Sequence, residues 1–183
     1  MTKGMFYFIG YVIIFMMIVI SFPKEKQQKL LNVQQEFDCV HYRVAGKLCV
    51  VAFIVSVYLT PSSYTLYEVR SGQILWCCGM VILILSLVTF CKTAVNQPVT
   101  SGIYALSRNP QIIGIWLVFL GVAVMSASYF ALGCVALNMI CYHQRIKAEE
   151  VMCLTLYGES YLQYYKKVPR YLIVKTKYEK TLK

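Results

Sequence analysis

The sequence predicts an all-α, multi-pass membrane protein of about five transmembrane helices with a helical C-terminal tail, and three observations carry the prediction. The chain has 183 residues, of which 58% are apolar or aromatic and 14% charged, against roughly a quarter charged in ordinary soluble domains. Its charges are also segregated. No Asp, Glu, Lys or Arg falls in 4–22, 48–67, 71–91 or 109–144. Finally, the basic residues sort by side. With the C-terminus in the cytoplasm and sides alternating through five crossings, segments 23–47, 92–111 and 143–183 hold five, two and nine Lys or Arg. The opposite side holds only Lys3 and Arg70. Such a split is the positive-inside pattern.

Each of the first three apolar runs suits a helix crossing a hydrocarbon core, which takes roughly 20 residues. The first resembles a signal peptide in its early lysine, yet it leaves through Ser21-Phe22-Pro23-Lys24. No small-residue cleavage site follows, so a retained anchor is expected. Segment 24–47 is polar, and KEKQQKLLNVQQEF reads as a short helix on the membrane surface. The third run, Ile74 to Phe90 at its centre, is almost featureless and reads as packing. The fourth is too long for one crossing and breaks at MSASY, Met125 to Tyr129, which predicts two shorter helices in a hairpin. Gly114 and Gly121, seven apart, predict close helix packing in lipid. Beyond Tyr142 the chain turns polar. A helix continues to Gly158, a natural stop, and ESYLQYYKKV reads as a second amphipathic helix before Pro169.

The charge balance of +10 is therefore first a topology signal and second an attraction to anionic headgroups. Nucleic-acid binding is a poor reading, because the basic residues form no module apart from the membrane helices. Six of the eight cysteines, Cys49, Cys77, Cys78, Cys91, Cys134 and Cys141, lie inside apolar runs, where a thiol behaves as a small hydrophobe. No C-x-x-C occurs, and His41 and His143 lie far apart, so no metal site is expected. The last residues, Thr-Leu-Lys, are not a prenylation signal.

Two polar features remain. The stretch VTSGIYALSRNPQIIG, Val99 to Gly114, is a turn-rich strip between apolar runs. At the far end of the fourth run stand Arg145, Glu149 and Glu150, with Arg145 and Glu149 four apart on one helical face. A surface ion pair accounts for that spacing by itself. Taken with the strip and the tyrosine-rich tail, however, the set resembles the integral-membrane methyltransferases typified by isoprenylcysteine carboxyl methyltransferase, with phospholipid methyltransferases as relatives. The matching residues are Gly102-Ile103-Tyr104, Arg108-Asn109-Pro110 with Gly114, Arg145, Glu149-Glu150, Tyr157-Gly158, Tyr161, Tyr164 and Val168-Pro169. They cover about residues 70–170 of what reads as one domain over 1–183. Asn109 stands where that family has His, and Ile112 where it has Tyr. Asn keeps a donor and an acceptor, whereas Ile112 offers packing only.

The resemblance implies S-adenosyl-L-methionine as cofactor, bound at the cytoplasmic face. It implies a wall made by Asn96, Gln97, Pro98, Val99, Tyr104, Arg108, Asn109, Pro110, Gln111 and Ile112, with Glu149 and Glu150 opposite. Arg145 would face the methyl acceptor as the catalytic residue. A zwitterionic sulfonium carrying an adenine calls for a carboxylate, amides and an apolar or aromatic wall. Methyl transfer from an activated sulfonium needs chiefly alignment, and neither a Ser-His-Asp set nor a soluble Gly-rich dinucleotide fingerprint is present. The implied acceptor is a lipid or lipidated molecule among membrane lipids: a prenylcysteine carboxylate, a phospholipid amine or a hydrophobic thiol. The contrasting reading is a non-catalytic relative serving as scaffold or binder.

Overall fold

The computed structural model describes residues 3–32, 40–60 and 65–172. Seven α-helices and one 3-10 turn make up its elements, with no strand among the described residues. They are α1 (Lys3–Ile20), α2 (Lys24–Asn32), α3 (Val40–Leu59), α4 (Leu66–Lys92), the 3-10 turn Gly102–Ala105, α5 (Pro110–Met125), α6 (Tyr129–Tyr157) and α7 (Glu159–Lys167). The all-α expectation holds. By length and composition α1, α3 and α4 can each cross a membrane, and α5 is a shorter apolar helix. The polar segment 24–47 does start as the helix α2; its part from 33 to 39 lies outside the described residues.

Local chemistry sets the boundaries. The fourth run breaks where expected: α5 ends at Met125, and Ser128 caps α6 by accepting from the Ala131 amide. Gly158, with φ +55°, stops α6 in a backbone conformation that suits glycine. Two boundaries differ from the charge-free runs. Helix α3 begins at Val40 and takes in Arg43 and Lys47, because long cationic side chains at a helix end can reach back to the interface. Helix α4 begins at Leu66, under a capping box in which Thr65 and Glu68 satisfy each other's end groups. The Thr-x-x-Glu signature lies ahead of the charge-free run 71–91, so the helix starts before that run does.

The helices form a bundle with two distinct ends. Gly4 of α1 and Gly72 of α4 back onto the C-terminal turns of α5 at Val122–Ser126. At the other end Lys26 of α2 donates to the Thr93 carbonyl after α4, and the residues before α5 meet those after α7. In the middle, α1, α3 and α5 meet around Phe119. Its ring stacks on Phe53 at 5.0 Å and takes Phe8 and Tyr11 edge-on at 5.8 and 5.9 Å, geometries that add to plain burial. Asn138 of α6 donates across to the Gly46 carbonyl of α3 at 3.2 Å, a polar tie of the kind used between helices in lipid.

Helices α4 and α5 make the closest approach. Gly72 faces Gly121, and Gly79 faces Gly114, so the seven-residue spacing expected on one helix is matched on its antiparallel partner. The outward faces are apolar. Phe6, Ile13, Met17, Leu48, Val51, Ile74, Val81 and Ile140 are all exposed, a surface suited to lipid and not to water. Tyr58, Tyr67, Tyr129 and Phe130 lie exposed at the bundle end opposite α2, as in the aromatic belts of membrane interfaces.

Candidate functional site

The polar strip and the tail meet because each satisfies the other's backbone. After α7 the chain passes Val168 and Pro169 and runs back over the strip as a short strap to Leu172. The Arg108 amide donates to the Pro169 carbonyl at 3.0 Å. The Arg170 carbonyl accepts from Ser107 Oγ at 3.0 Å and from Asn109 Nδ2 at 3.4 Å. Tyr164 donates its hydroxyl to the Tyr104 carbonyl at 2.8 Å. Gly102, at φ +57°, turns the strip past Thr89, where a Cβ would come within 3.0 Å of Oγ1.

A buried ion triad locks the junction. Glu150 of α6 lies between Arg108 of the strip, at 3.0 Å, and Arg170 of the strap, at 2.6 Å, and all three side chains are almost wholly buried. Arg170 binds it in fork geometry through Nε and Nη2. Arg108 also lies over the Tyr165 ring, 3.8 Å from its centroid, and donates to the Tyr165 carbonyl at 2.9 Å. With two arginines to one carboxylate, three elements from distant parts of the sequence are held by a single charge.

Above the triad lies a partly open cavity. Pro98, Val99, Tyr104, Arg108, Asn109, Gln111 and Ile112 line one side, and Glu149 and Glu150 the other. These nine expected site residues therefore converge. Leu30 of α2, Phe90, Cys153, Leu156, Tyr157, Tyr161 and Tyr164 complete the wall. The three tyrosines were visible in the sequence as motif positions but had no role there; Leu30 and Phe90 carried no signal at all. Four expected residues lie elsewhere. Asn96 and Gln97 are exposed on the turn after α4, and Pro110 is buried in the first turn of α5. Arg145 lies over the Tyr142 ring at 4.8 Å and lines no part of the cavity.

The cavity's chemistry is that of a site for a mixed polar and aromatic ligand. Glu149 is half-buried beside tyrosines that stay protonated. Burial, with the Glu149 carboxylate adding to it, pushes the Tyr104 hydroxyl far above its ordinary value, and burial does the same to Tyr161. Protonated phenols of this kind are able to donate hydrogen bonds. Gln111 Nε2 is buried at this wall with no hydrogen-bond partner among the described residues, and a buried amide without one is costly unless a ligand supplies it. The space amounts to about 130 Å³, below the roughly 300–1,000 Å³ of ligand pockets in general, so a ligand of ordinary size must also use the open side. Among the described residues no cluster of His, Cys, Asp or Glu can hold a metal ion.

Comparison with known proteins points to one family. The chain is 36% identical over 72 residues to the protein-S-isoprenylcysteine O-methyltransferase of Schizosaccharomyces pombe, covering 39% of this chain and 30% of that protein. It is 33% identical over 79 residues to the Xenopus laevis protein of the same name, covering 43% and 27%. The match thus spans under a third of the length of either curated relative. No solved structure matches the chain. A family model described as phospholipid methyltransferase matches residues 48–160, more than half of the sequence and including the strip, the Glu149-Glu150 pair and the start of α7. The chain belongs to the phospholipid methyltransferase family.

Proposed function

We propose that the protein is a membrane methyltransferase that uses S-adenosyl-L-methionine and delivers the methyl group to a lipidic or lipidated acceptor. The observation that carries the reading is that both halves of the motif set line one cavity, where a carboxylate, an unpartnered amide donor and an aromatic wall stand together. When bound, the donor supplies a sulfonium methyl already activated for in-line displacement. The protein's own part is to bind and align. Glu149 holds a cationic group, Gln111 and the Tyr104 hydroxyl donate to polar atoms, and Phe90, Leu156 and Tyr157 pack against the flat base. The Arg108–Glu150–Arg170 triad keeps the strip and the helices at fixed separation, which alignment catalysis demands. Arg145, where α6 turns from apolar to charged, faces the acceptor. Its guanidinium suits a carboxylate or phosphate.

Separate titrations of the two substrates test these roles. Glu149→Gln keeps the shape and removes the charge, and should weaken donor binding by about 1–3 kcal/mol. Arg145→Lys should leave donor affinity unchanged while activity at limiting acceptor falls, because the fork geometry is lost. Calorimetry with S-adenosyl-L-methionine and a labelled-methyl transfer assay in membranes give both readings. A well-folded Glu149→Gln protein with undiminished donor affinity returns Glu149 to a surface role. Wild-type protein that binds no donor sinks the enzyme reading and leaves the scaffold.

The same proposal orients the chain. Helices α1, α3, α4, α5 and the apolar half of α6 make five crossings, with the cavity and the C-terminus in the cytoplasm. The distribution of Lys and Arg supports this. Reporter fusions after Tyr171 should be active only as cytoplasmic reporters, and the opposite outcome overturns the cofactor's access side as well.

A further inference from the structure

One wall of the donor cavity comes from outside the family-matched residues 48–160. Leu30 of α2 lines the cavity together with Phe90 from the last turn of α4. Little in α2 itself holds it there. The helix is nine residues long, and Leu30 and Leu31 are its only apolar residues. Helices shorter than roughly 12–15 residues are marginal by themselves in water, so α2 keeps its place through contacts with the rest of the fold.

Those contacts gather on one face. Gln27 Nε2 donates to the Phe22 carbonyl at 2.8 Å, which ties the first turn to a residue of the core. Lys26 donates through Nζ to the Thr93 carbonyl, just past the end of α4, where a cation also complements the carbonyl end of that helix. Leu30 stands four residues after Lys26 and so on the same face, packed against the hydrophobic core. The Thr93 amide is in turn hydrogen-bonded to the Phe90 carbonyl at 3.3 Å. One turn of helix on each side therefore joins the lysine latch to an apolar wall residue. Lys24, Glu25 and Gln28 lie exposed on the opposite face of α2.

We infer that Leu30 is a positioning residue for the methyl donor: α2, latched by Lys26 to the end of α4, sets Leu30 as a detachable apolar wall of the donor cavity, so that donor affinity depends on how α2 is seated. This rests on the methyltransferase reading. The enclosed space of about 130 Å³ is small for a ligand of ordinary size, so a wall has to give way as the donor enters or leaves. The strip and α6 are locked to each other through the buried Arg108–Glu150–Arg170 triad, whereas α2 is tied to the cavity by a side-chain hydrogen bond and a leucine. It is the wall that yields. Seated again, it returns Leu30 to dispersion contact with the donor's apolar surface and restores the fixed alignment that transfer needs.

The test uses the full chain in lipid nanodiscs and two readouts. The first needs no donor. Cys153 lines the same cavity, and its alkylation by iodoacetamide is followed peptide by peptide with mass spectrometry. Lys26→Met removes the latch and should raise the Cys153 rate several-fold, while Lys26→Arg still donates and should return it toward wild type. Gln28→Ala, on the exposed face of α2, should leave the rate alone. The second readout is calorimetric titration with S-adenosyl-L-methionine. Leu30→Ala should weaken binding several-fold at an unchanged thermal midpoint, and Leu30→Met should restore most of the loss. A Cys153 rate indifferent to Lys26→Met, or a Leu30→Ala protein that binds the donor as wild type does, overturns the proposal. So does a thermal midpoint that falls in step with donor affinity and is not rescued by Leu30→Met, which marks a merely structural leucine. Wild-type protein that binds no donor fails the methyltransferase reading and the donor role with it, while the Cys153 rates, read without donor, still decide whether α2 closes the cavity.

Discussion

Glu150→Ala is expected to be the most damaging single change at the site. It removes the one carboxylate between Arg108 and Arg170 and leaves two cations in a space where their side chains are 1% and 8% exposed. Breaking a buried ion pair from one side typically costs about 3–5 kcal/mol, since the orphaned charge has no water to return to. That is a large part of the roughly 5–15 kcal/mol by which folded proteins are stable. The thermal midpoint of the purified protein should fall by on the order of 10 °C, with donor binding lost as the strap leaves the strip. Arg170→Met should do less harm, because Glu150 keeps Arg108. The double variant Glu150→Ala/Arg170→Met should recover part of the single loss, as the three groups form one network and their effects do not add. A Glu150→Ala protein within a degree of wild type would show that the triad is solvated and carries none of this weight.

The contrast between Glu149 and Glu150 shows where sequence reading stops. Adjacent positions on a helix point about 100° apart, so one faces the cavity's polar ligand zone while the other turns into the junction. Nothing in the letters distinguishes them, and the resemblance assigned both to the cofactor. What sets Glu150 apart is its bond to Arg170, which lies 20 residues away, past a helix stop and a second helix. Leu30 is harder still. It reaches the wall because α2 folds under α4, with Lys26 on the Thr93 carbonyl, a contact between segments that share no pattern. The helices themselves were legible, since charge exclusion, the break at Met125 and the Gly158 stop are local physics. Boundaries slipped only where long basic side chains or a capping box extended a helix past its uncharged core. The resemblance groups Asn96 and Gln97 with Pro98 and Val99, and in the fold a turn of the chain leaves these two exposed while Pro98 and Val99 line the cavity.

Gly114→Ala is expected to lose stability and donor binding together, and the reason lies in the α4–α5 contact. A Cβ on Gly114 would stand 2.9 Å from the Gly79 carbonyl oxygen and 2.9 Å from the Leu83 amide nitrogen. Both are backbone atoms of α4, so no side-chain rotation relieves the clash and the helices must part. Overpacking of this kind costs about 1–3 kcal/mol, and in lipid the loss is not offset, because close backbone approach is itself what holds such helices together. Gly79→Ala should behave alike, its Cβ meeting the Gly114 oxygen and the Val118 nitrogen at 2.7 Å. The functional consequence follows from position. Gln111 and Ile112 lie within one turn of Gly114, and Phe90 stands in the last turn of α4 at the same cavity, so parting these helices pulls two of the cavity's walls away from Glu149. Gly133→Ala is the control. It sits in α6 with nothing within 4 Å of the added carbon, and helix propensity alone should leave it neutral or more stable by up to about 1 kcal/mol. Thermal midpoints and donor titrations on the three variants decide the point: if Gly114→Ala and Gly133→Ala move the same way, the glycines facing each other across α4 and α5 do not set the separation of the cavity walls.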